Sequence, residues 1–189
     1  MKVGVLALQG AFAAHVRCLR ELGAEPTEVR TPGGLAEVDA LVLPGGESTT
    51  MSMLLESTDL FDSLGARLAE GMPTLGTCAG MILLGAEILD GRPDQRCFGA
   101  VDISVRRNAF GRQVDSFEAD LSVADLDDGP FRAIFIRAPF VERVGADVEV
   151  LASVDGHPVL CRQGHVTVAA FHPELSDDLR LHDHFLRGI

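Results

Sequence analysis

The chain has 189 residues, 47% hydrophobic and 23% charged, which is the balance of one ordinary folded domain rather than of a disordered chain. A formal net charge of −12 speaks against nucleic acid as a main partner, because phosphate binding needs clustered Lys and Arg. No run approaches the roughly 18 apolar residues of a membrane span, and four cysteines without CxxC spacing indicate neither a disulfide framework nor a zinc site, so a cytosolic protein with no metal and no membrane partner is expected.

Residues 2–8 form a short apolar run ended by Gln9-Gly10, and a helical pattern follows through Leu22, with Gly23 where a C-cap glycine belongs. Residues 24–30 and 40–43 read as the next two strands, the latter ended by Pro44-Gly45-Gly46. Helical spacing returns over 47–55 and 60–69; residues 73–77 are a brief strand and 79–88 a helix. Short apolar strands without polar alternation are what a parallel sheet covered on both faces produces. Right-handed crossovers then bring the loops at 9–10, 44–48 and 76–80 to one edge, where open α/β sheets do their chemistry.

From residue 98 to 171 the pattern is mostly strand-like, with turns at Asp127-Asp128-Gly129-Pro130, Asp155-Gly156 and Gln163-Gly164. Residues 148–154, 159–162 and 166–171 read as an antiparallel meander on the same sheet, and 177–186 as a closing helix capped by Ser176 or Asp177. Arg106, Arg107, Arg112, Arg132, Arg137 and Arg143 make this half locally basic. The fold class expected is α/β: one domain over residues 1–189, a mostly parallel central sheet flanked by helices, with an antiparallel C-terminal extension.

Three constellations carry chemistry. Gly76-Thr77-Cys78-Ala79-Gly80 has the form G-x-C-x-G, a thiol version of the nucleophile elbow. Such a turn lifts the Cys78 sulfur out of the sheet to a helix N-terminus, whose dipole favours the thiolate, and aims the Ala79 N–H at an oxyanion. A glycine-rich turn with a buried cysteine is the plainer alternative. A thiol nucleophile needs a base and the base needs orienting. His172 and Glu174 supply both if residues i and i+2 of an extended segment share a side. His15, His157, His165, His182 and His184 are read as surface or packing residues, and so are Cys18, Cys97 and Cys161 as packing. In Pro44-Gly45-Gly46-Glu47-Ser48-Thr49 the glycines let backbone N–H groups approach an anionic oxygen, so Gly46 is a second oxyanion donor with Glu47 and Ser48 beside the substrate. A phosphate loop would need a lysine that is absent, and a plain turn with N-cap stays open.

With these residues the chain resembles the class I (triad) glutamine amidotransferase family, whose fold is flavodoxin-like. Within it the likeness is to the glutaminase subunits of pyridoxal 5'-phosphate synthase. It rests on GVLALQGA (4–11), LPGGEST (43–49), GTCAG (76–80), RNAFGRQ (107–113), SFE (116–118), FIRAP (135–139) and HPEL (172–175). The resemblance implies hydrolysis of L-glutamine to glutamate and ammonia by Cys78, His172 and Glu174 through a glutamyl thioester, with no cofactor. It also implies oxyanion donors at Gly46 and Ala79, and substrate binding by Gly46, Glu47, Ser48, Arg107, Ile136 and Arg137. The partner it implies is a synthase subunit, in a large hetero-oligomer with one glutaminase per synthase subunit, the glutaminase being nearly idle until docked. The rivals are a glutaminase of histidine or nucleotide biosynthesis, a stress-protection cysteine protein of the intracellular-peptidase type, and a non-catalytic binding module.

Overall fold

A computed structural model describes residues 1–107 and 116–189. β1 (Lys2–Leu6) leads to α1 (Phe12–Glu21), β2 (Glu25–Val29), the short α2 (Pro32–Ala36), β3 (Ala40–Leu43), α3 (Ser48–Ser57), α4 (Leu60–Ala69), β4 (Thr74–Thr77) and α5 (Ala79–Leu84). Then follow β5 (Gly85–Ile88), β6 (Val101–Arg106), β7 (Phe117–Leu121), β8 (Phe131–Phe135), β9 (Phe140–Val144), β10 (Glu149–Val154), β11 (His157–Gln163) and β12 (Val166–Ala169). A 3-10 turn at Pro173–Leu175 and α6 (Arg180–Arg187) close the chain.

The main sheet has seven strands in the order β10-β11-β12-β4-β3-β1-β2. Five of them, β12, β4, β3, β1 and β2, run parallel to one another, and β11 pairs antiparallel with both β12 and β10. Beside it lie a three-stranded sheet β5-β6-β9 and the hairpin β7-β8. Strand alternation splits the apolar side chains between two faces. Val3, Val5, Ala40, Val42 and Leu75 pack with Val16 and Leu19 of α1 and Phe185 of α6. Leu6, Leu41 and Leu43 belong to the larger cluster with Leu55, Leu60, Leu64 and Leu84. Both faces are therefore dry, which is why β3 and β4 are buried at every residue. Burying one such leucine contributes about 1.5–3 kcal/mol.

Because β12, β4, β3 and β1 are parallel and adjacent, the loops after them leave the same edge of the sheet side by side. Those loops hold Ala170 to His172, Cys78, Gly45 with Gly46, and Gln9. The meeting of these loops at one edge is thus a consequence of strand order.

Four expectations need correction. The helix expected over 79–88 ends at Leu84, because Gly85 turns extended (φ −63°, ψ 163°) and residues Gly85–Ile88 pair with β6 instead. The closing helix starts at Arg180: Ser176 accepts the Asp178 N–H and Asp178 accepts the Arg180 N–H, so local side-chain turns delay the helix. The first strand stops at Leu6 rather than Leu8. Finally, the arginine-rich half is not a bare basic face. Arg106 pairs with Glu142, Arg132 with Glu118 and Asp120, and Arg143 with Asp102. Arg112 and the whole of RNAFGRQ after Arg107 lie outside the described residues.

Candidate active site

The elbow between β4 and α5 holds Cys78 at φ 48°, ψ −101°, a backbone region that L residues rarely occupy. Its glycines permit close packing. A Cβ on Gly76 would lie 2.5 Å from Leu84 Cδ1, and one on Gly80 would lie 2.3 Å from the Leu43 carbonyl oxygen. The Cys78 N–H donates to Ala169 O at 2.8 Å, tying the turn to the end of β12. Ala79 is the first residue of α5, where an amide N–H has no carbonyl one turn back to bond. The sulfur-bearing residue is 7% exposed, so the thiol sits at the floor of a cavity rather than on open surface.

His172 follows β12, and its N–H donates to Ile134 O at 2.8 Å. Its Nδ1 lies 2.8 Å from Glu174 Oε1. The two do not share a side by strand alternation, as the sequence suggests. Pro173–Leu175 is a 3-10 turn, which curls the Glu174 carboxylate back under the ring. Burial lowers the His172 pKa, but hydrogen bonding to Cys78 and to Glu174 outweighs it and lifts the value to about 10. Burial would likewise raise Glu174, yet its bond to His172 and the neighbouring imidazoles hold it below the usual glutamate value. A thiol backed by an imidazole and a carboxylate is an arrangement that can act as a nucleophile with its proton donor.

Gly45 and Gly46 close the opposite wall. A Cβ on Gly45 would meet His172 Cε1 at 2.4 Å and Cys78 Cβ at 3.3 Å, while one on Gly46 would meet the Gln9 side chain at 2.5 Å. Gln9 Oε1 accepts the Glu47 N–H at 3.0 Å, and Ala11 N–H donates to Gly45 O at 3.2 Å, so the turn after β1 braces this loop. Glu47 caps α3 by accepting from Thr49 N and Thr50 N, and its carboxylate meets Arg107 Nη2 at 3.1 Å. Arg107 also reaches Thr49 Oγ1 at 2.9 Å.

A cavity of about 240 Å³ joins these parts; its lining includes Gly46, Glu47, Ser48, Cys78, Arg107, Ile136, Arg137 and His172. Its size is below the about 300–1,000 Å³ of drug-sized pockets, which suits a single amino acid better than a peptide. Of the residues expected at the site, Cys78, His172, Gly46, Glu47, Ser48, Arg107, Ile136 and Arg137 line it; Ala79 stands next to it in the elbow and Glu174 behind His172. Arg137 has positive φ (44°), is exposed, and makes no ion pair among the described residues.

Sequence reading missed two groups. Gln9 and Ile82 also line the cavity; Gln9 was recoverable from its loop, which converges on this edge. His15 and His182, expected at the surface or in packing, are fully buried and meet each other behind Glu174. No local signal announces that contact.

Residues 5–189 match the model of the SNO glutamine amidotransferase family. The chain is 58% identical over 189 residues to the "Pyridoxal 5'-phosphate synthase subunit PdxT" of Nocardia farcinica, covering 97% of this chain and 84% of the relative. It is 60% identical over 184 residues to the protein of that name from Mycobacteroides abscessus, covering 97% and 95%. Among solved structures, one described as a glutamine amidotransferase superposes with a TM-score of 0.93 at 50% identity, covering 98% of this chain and 97% of its own.

Proposed function

The chain belongs to the SNO glutamine amidotransferase family, and from that premise we propose that its cavity hydrolyses L-glutamine and supplies the ammonia to the synthase subunit of pyridoxal 5'-phosphate synthase. The observation that carries the reading is the 2.8 Å contact between His172 and Glu174 behind a strained cysteine elbow, in a cavity scaled to one amino acid.

Cys78 attacks the side-chain amide carbon of glutamine as the thiolate, with the proton on His172. The tetrahedral oxyanion is met by the N–H groups of Gly46 and Ala79. His172 then gives its proton to the departing nitrogen, the C–N bond breaks, and ammonia leaves a glutamyl thioester. Neutral His172 takes a proton from water, whose oxygen attacks the thioester carbon, and the C–S bond breaks to give glutamate and the thiolate again. Glu174 stays ionised throughout, fixing the tautomer and orientation of the ring. Glu47, Ser48, Arg107, Ile136 and Arg137 hold the amino-acid end. A carboxylate and an ammonium on one ligand call for charges of both signs, and Glu47 with Arg107 and Arg137 provide them.

The partner follows from relatives of more than half identity that carry the name of a pyridoxal 5'-phosphate synthase subunit, rather than that of an enzyme of histidine or nucleotide biosynthesis. The assembly is a large hetero-oligomer with one glutaminase per synthase subunit. Its setting is cytoplasmic, supported by four free cysteines, since thiols persist unpaired in reducing compartments.

Ammonia release from glutamine, measured with and without the synthase subunit, tests the reading. Release is expected to rise strongly with the partner and to vanish in Cys78→Ala while thermal unfolding is unchanged. A Cys78→Ala protein that still released ammonia at the wild-type rate would overturn the nucleophile. Failure to bind a synthase subunit and to support glutamine-dependent pyridoxal phosphate formation would overturn the partner.

A further inference from the structure

Behind the triad lies a second buried polar chain. Glu174 gives one carboxylate oxygen to His172; the other, Oε2, is buried without a well-aligned hydrogen bond and lies 3.3 Å from His15 Nε2. The same His15 nitrogen is 3.2 Å from Thr77 Oγ1, the residue before the nucleophile, and His15 Nδ1 is 3.0 Å from His182 Nε2. His15 comes from α1 and His182 from α6, and neither side chain sees solvent.

We propose that His15 is a positioning residue for the glutaminase reaction: its Nε2–H fixes the rear oxygen of Glu174, and His182 sets the His15 tautomer that makes this possible. The inference rests on the proposed glutaminase reading and extends it.

The protons can be placed by elimination. Burial pushes His15 down and carries His182 down to about 3, so both rings are neutral and each has a single N–H. If the His15 proton sat on Nδ1, Nε2 would accept from the Thr77 hydroxyl but turn its lone pair toward the Glu174 carboxylate, and the buried Nδ1 of His182 would be a donor without an acceptor. With the proton on Nε2, His15 donates toward Glu174 and Thr77 and accepts from His182 Nε2–H. The orphan at His182 Nδ1 is then a lone pair. Stranded acceptors are better tolerated than stranded donors, so the second arrangement holds. The titratable groups around Glu174 are His172 on its own loop, His15 and Cys18 on α1, and His182 on α6, with Cys78 of the elbow on the far side of His172. Of these only His172 carries positive charge, and His15 adds a dipole that keeps Glu174 ionised and turned toward it.

The test uses three variants: His15→Leu removes the donor, His15→Gln restores an N–H near the Nε2 position, and His182→Phe removes the donor that sets the tautomer. Two measurements are made on each. One is ammonia release by the complex with the synthase subunit; the other is NMR titration of the His172 ring in the chain alone, which does not depend on glutamine. His15→Leu is expected to lower kcat about tenfold with KM nearly unchanged and to move the His172 titration down by about one pH unit. His182→Phe should move both the same way by less, and His15→Gln should recover most of the loss. A purely structural role predicts lower thermal stability with kcat, KM and the titration unmoved in all three, and that result overturns the proposal. So does a His15→Gln variant no better than His15→Leu. If His15→Leu does not fold, His182→Phe and His15→Gln decide alone. If the wild-type complex releases no ammonia, the glutaminase reading fails by itself, and the His172 titration still tests the positioning role.

Discussion

Replacing Gly45 by alanine is a sharp test of how the site is packed. Gly45 does not have positive φ, so alanine meets no backbone penalty there, and the whole effect comes from one methyl group. That methyl would stand 2.4 Å from His172 Cε1, 3.0 Å from Nδ1 and 3.3 Å from Cys78 Cβ. Carbon atoms in good contact are about 3.5–4.0 Å apart, so the ring or the loop must give by more than about 1 Å. The loop has little freedom. Its carbonyl accepts from Ala11 N–H, and Gly10 lies so close that a Cβ there would be 1.9 Å from the same oxygen. His172 therefore moves, away from the thiol and off its line to Glu174. A displacement of about 1 Å in a reacting group costs about 100-fold in rate, whereas overpacking costs about 1–3 kcal/mol in stability. Steady-state ammonia release with the synthase subunit, beside thermal unfolding, separates the two. Gly23→Ala is the control. It has φ +78° and open space around it, so it should cost about 1–2 kcal/mol of backbone strain and leave activity intact. A Gly45→Ala enzyme within about twofold of wild-type kcat would refute the packing argument.

Two further outcomes follow from the charges. His172 is raised from 6.5 unfolded to about 10 folded, so its contribution to stability is fully present below about pH 6.5 and is lost as pH rises through about 10. In the proposed mechanism the imidazolium is the proton donor to the departing amide nitrogen, so kcat/KM should fall over the upper part of that window; a rate flat from about pH 8 to 11 would contradict the role. Iodoacetamide should alkylate Cys78 with loss of activity, while Cys161, buried and pushed up to about 12, reacts only on unfolding. Peptide mass spectrometry that found Cys161 modified first would exclude this.

The sheet was legible because its strands are short, apolar and spaced by helical patterns, and parallel order then dictates which loops meet. Cys78 and the Gly45-Gly46 loop were legible for the same reason, since tight turns leave glycines behind. The 79–88 segment misled because Met81 to Leu84 continue smoothly into Gly85, Ala86 and Ile88, and only a strand elsewhere, β6, tells the chain to extend. The geometry of His172 and Glu174 was read for the wrong reason: proximity was right, but a 3-10 turn and not an extended strand produces it. His15 and His182 were beyond reach. Their contact spans 167 residues and exists only because α1 and α6 cover the same face of the sheet.

α1 is a lever with two loads. At its N-terminus the Ala11 amide holds the Gly45 carbonyl, and one turn further on His15 stands against Glu174. A tilt of this one rigid rod shifts the front wall of the cavity and the back of the His172–Glu174 pair together, so neither can be retuned without the other. Redesign of the helix's outer surface leaves both contacts alone, but any change in its seating on the sheet is felt at the Gly45 loop and at Glu174 alike.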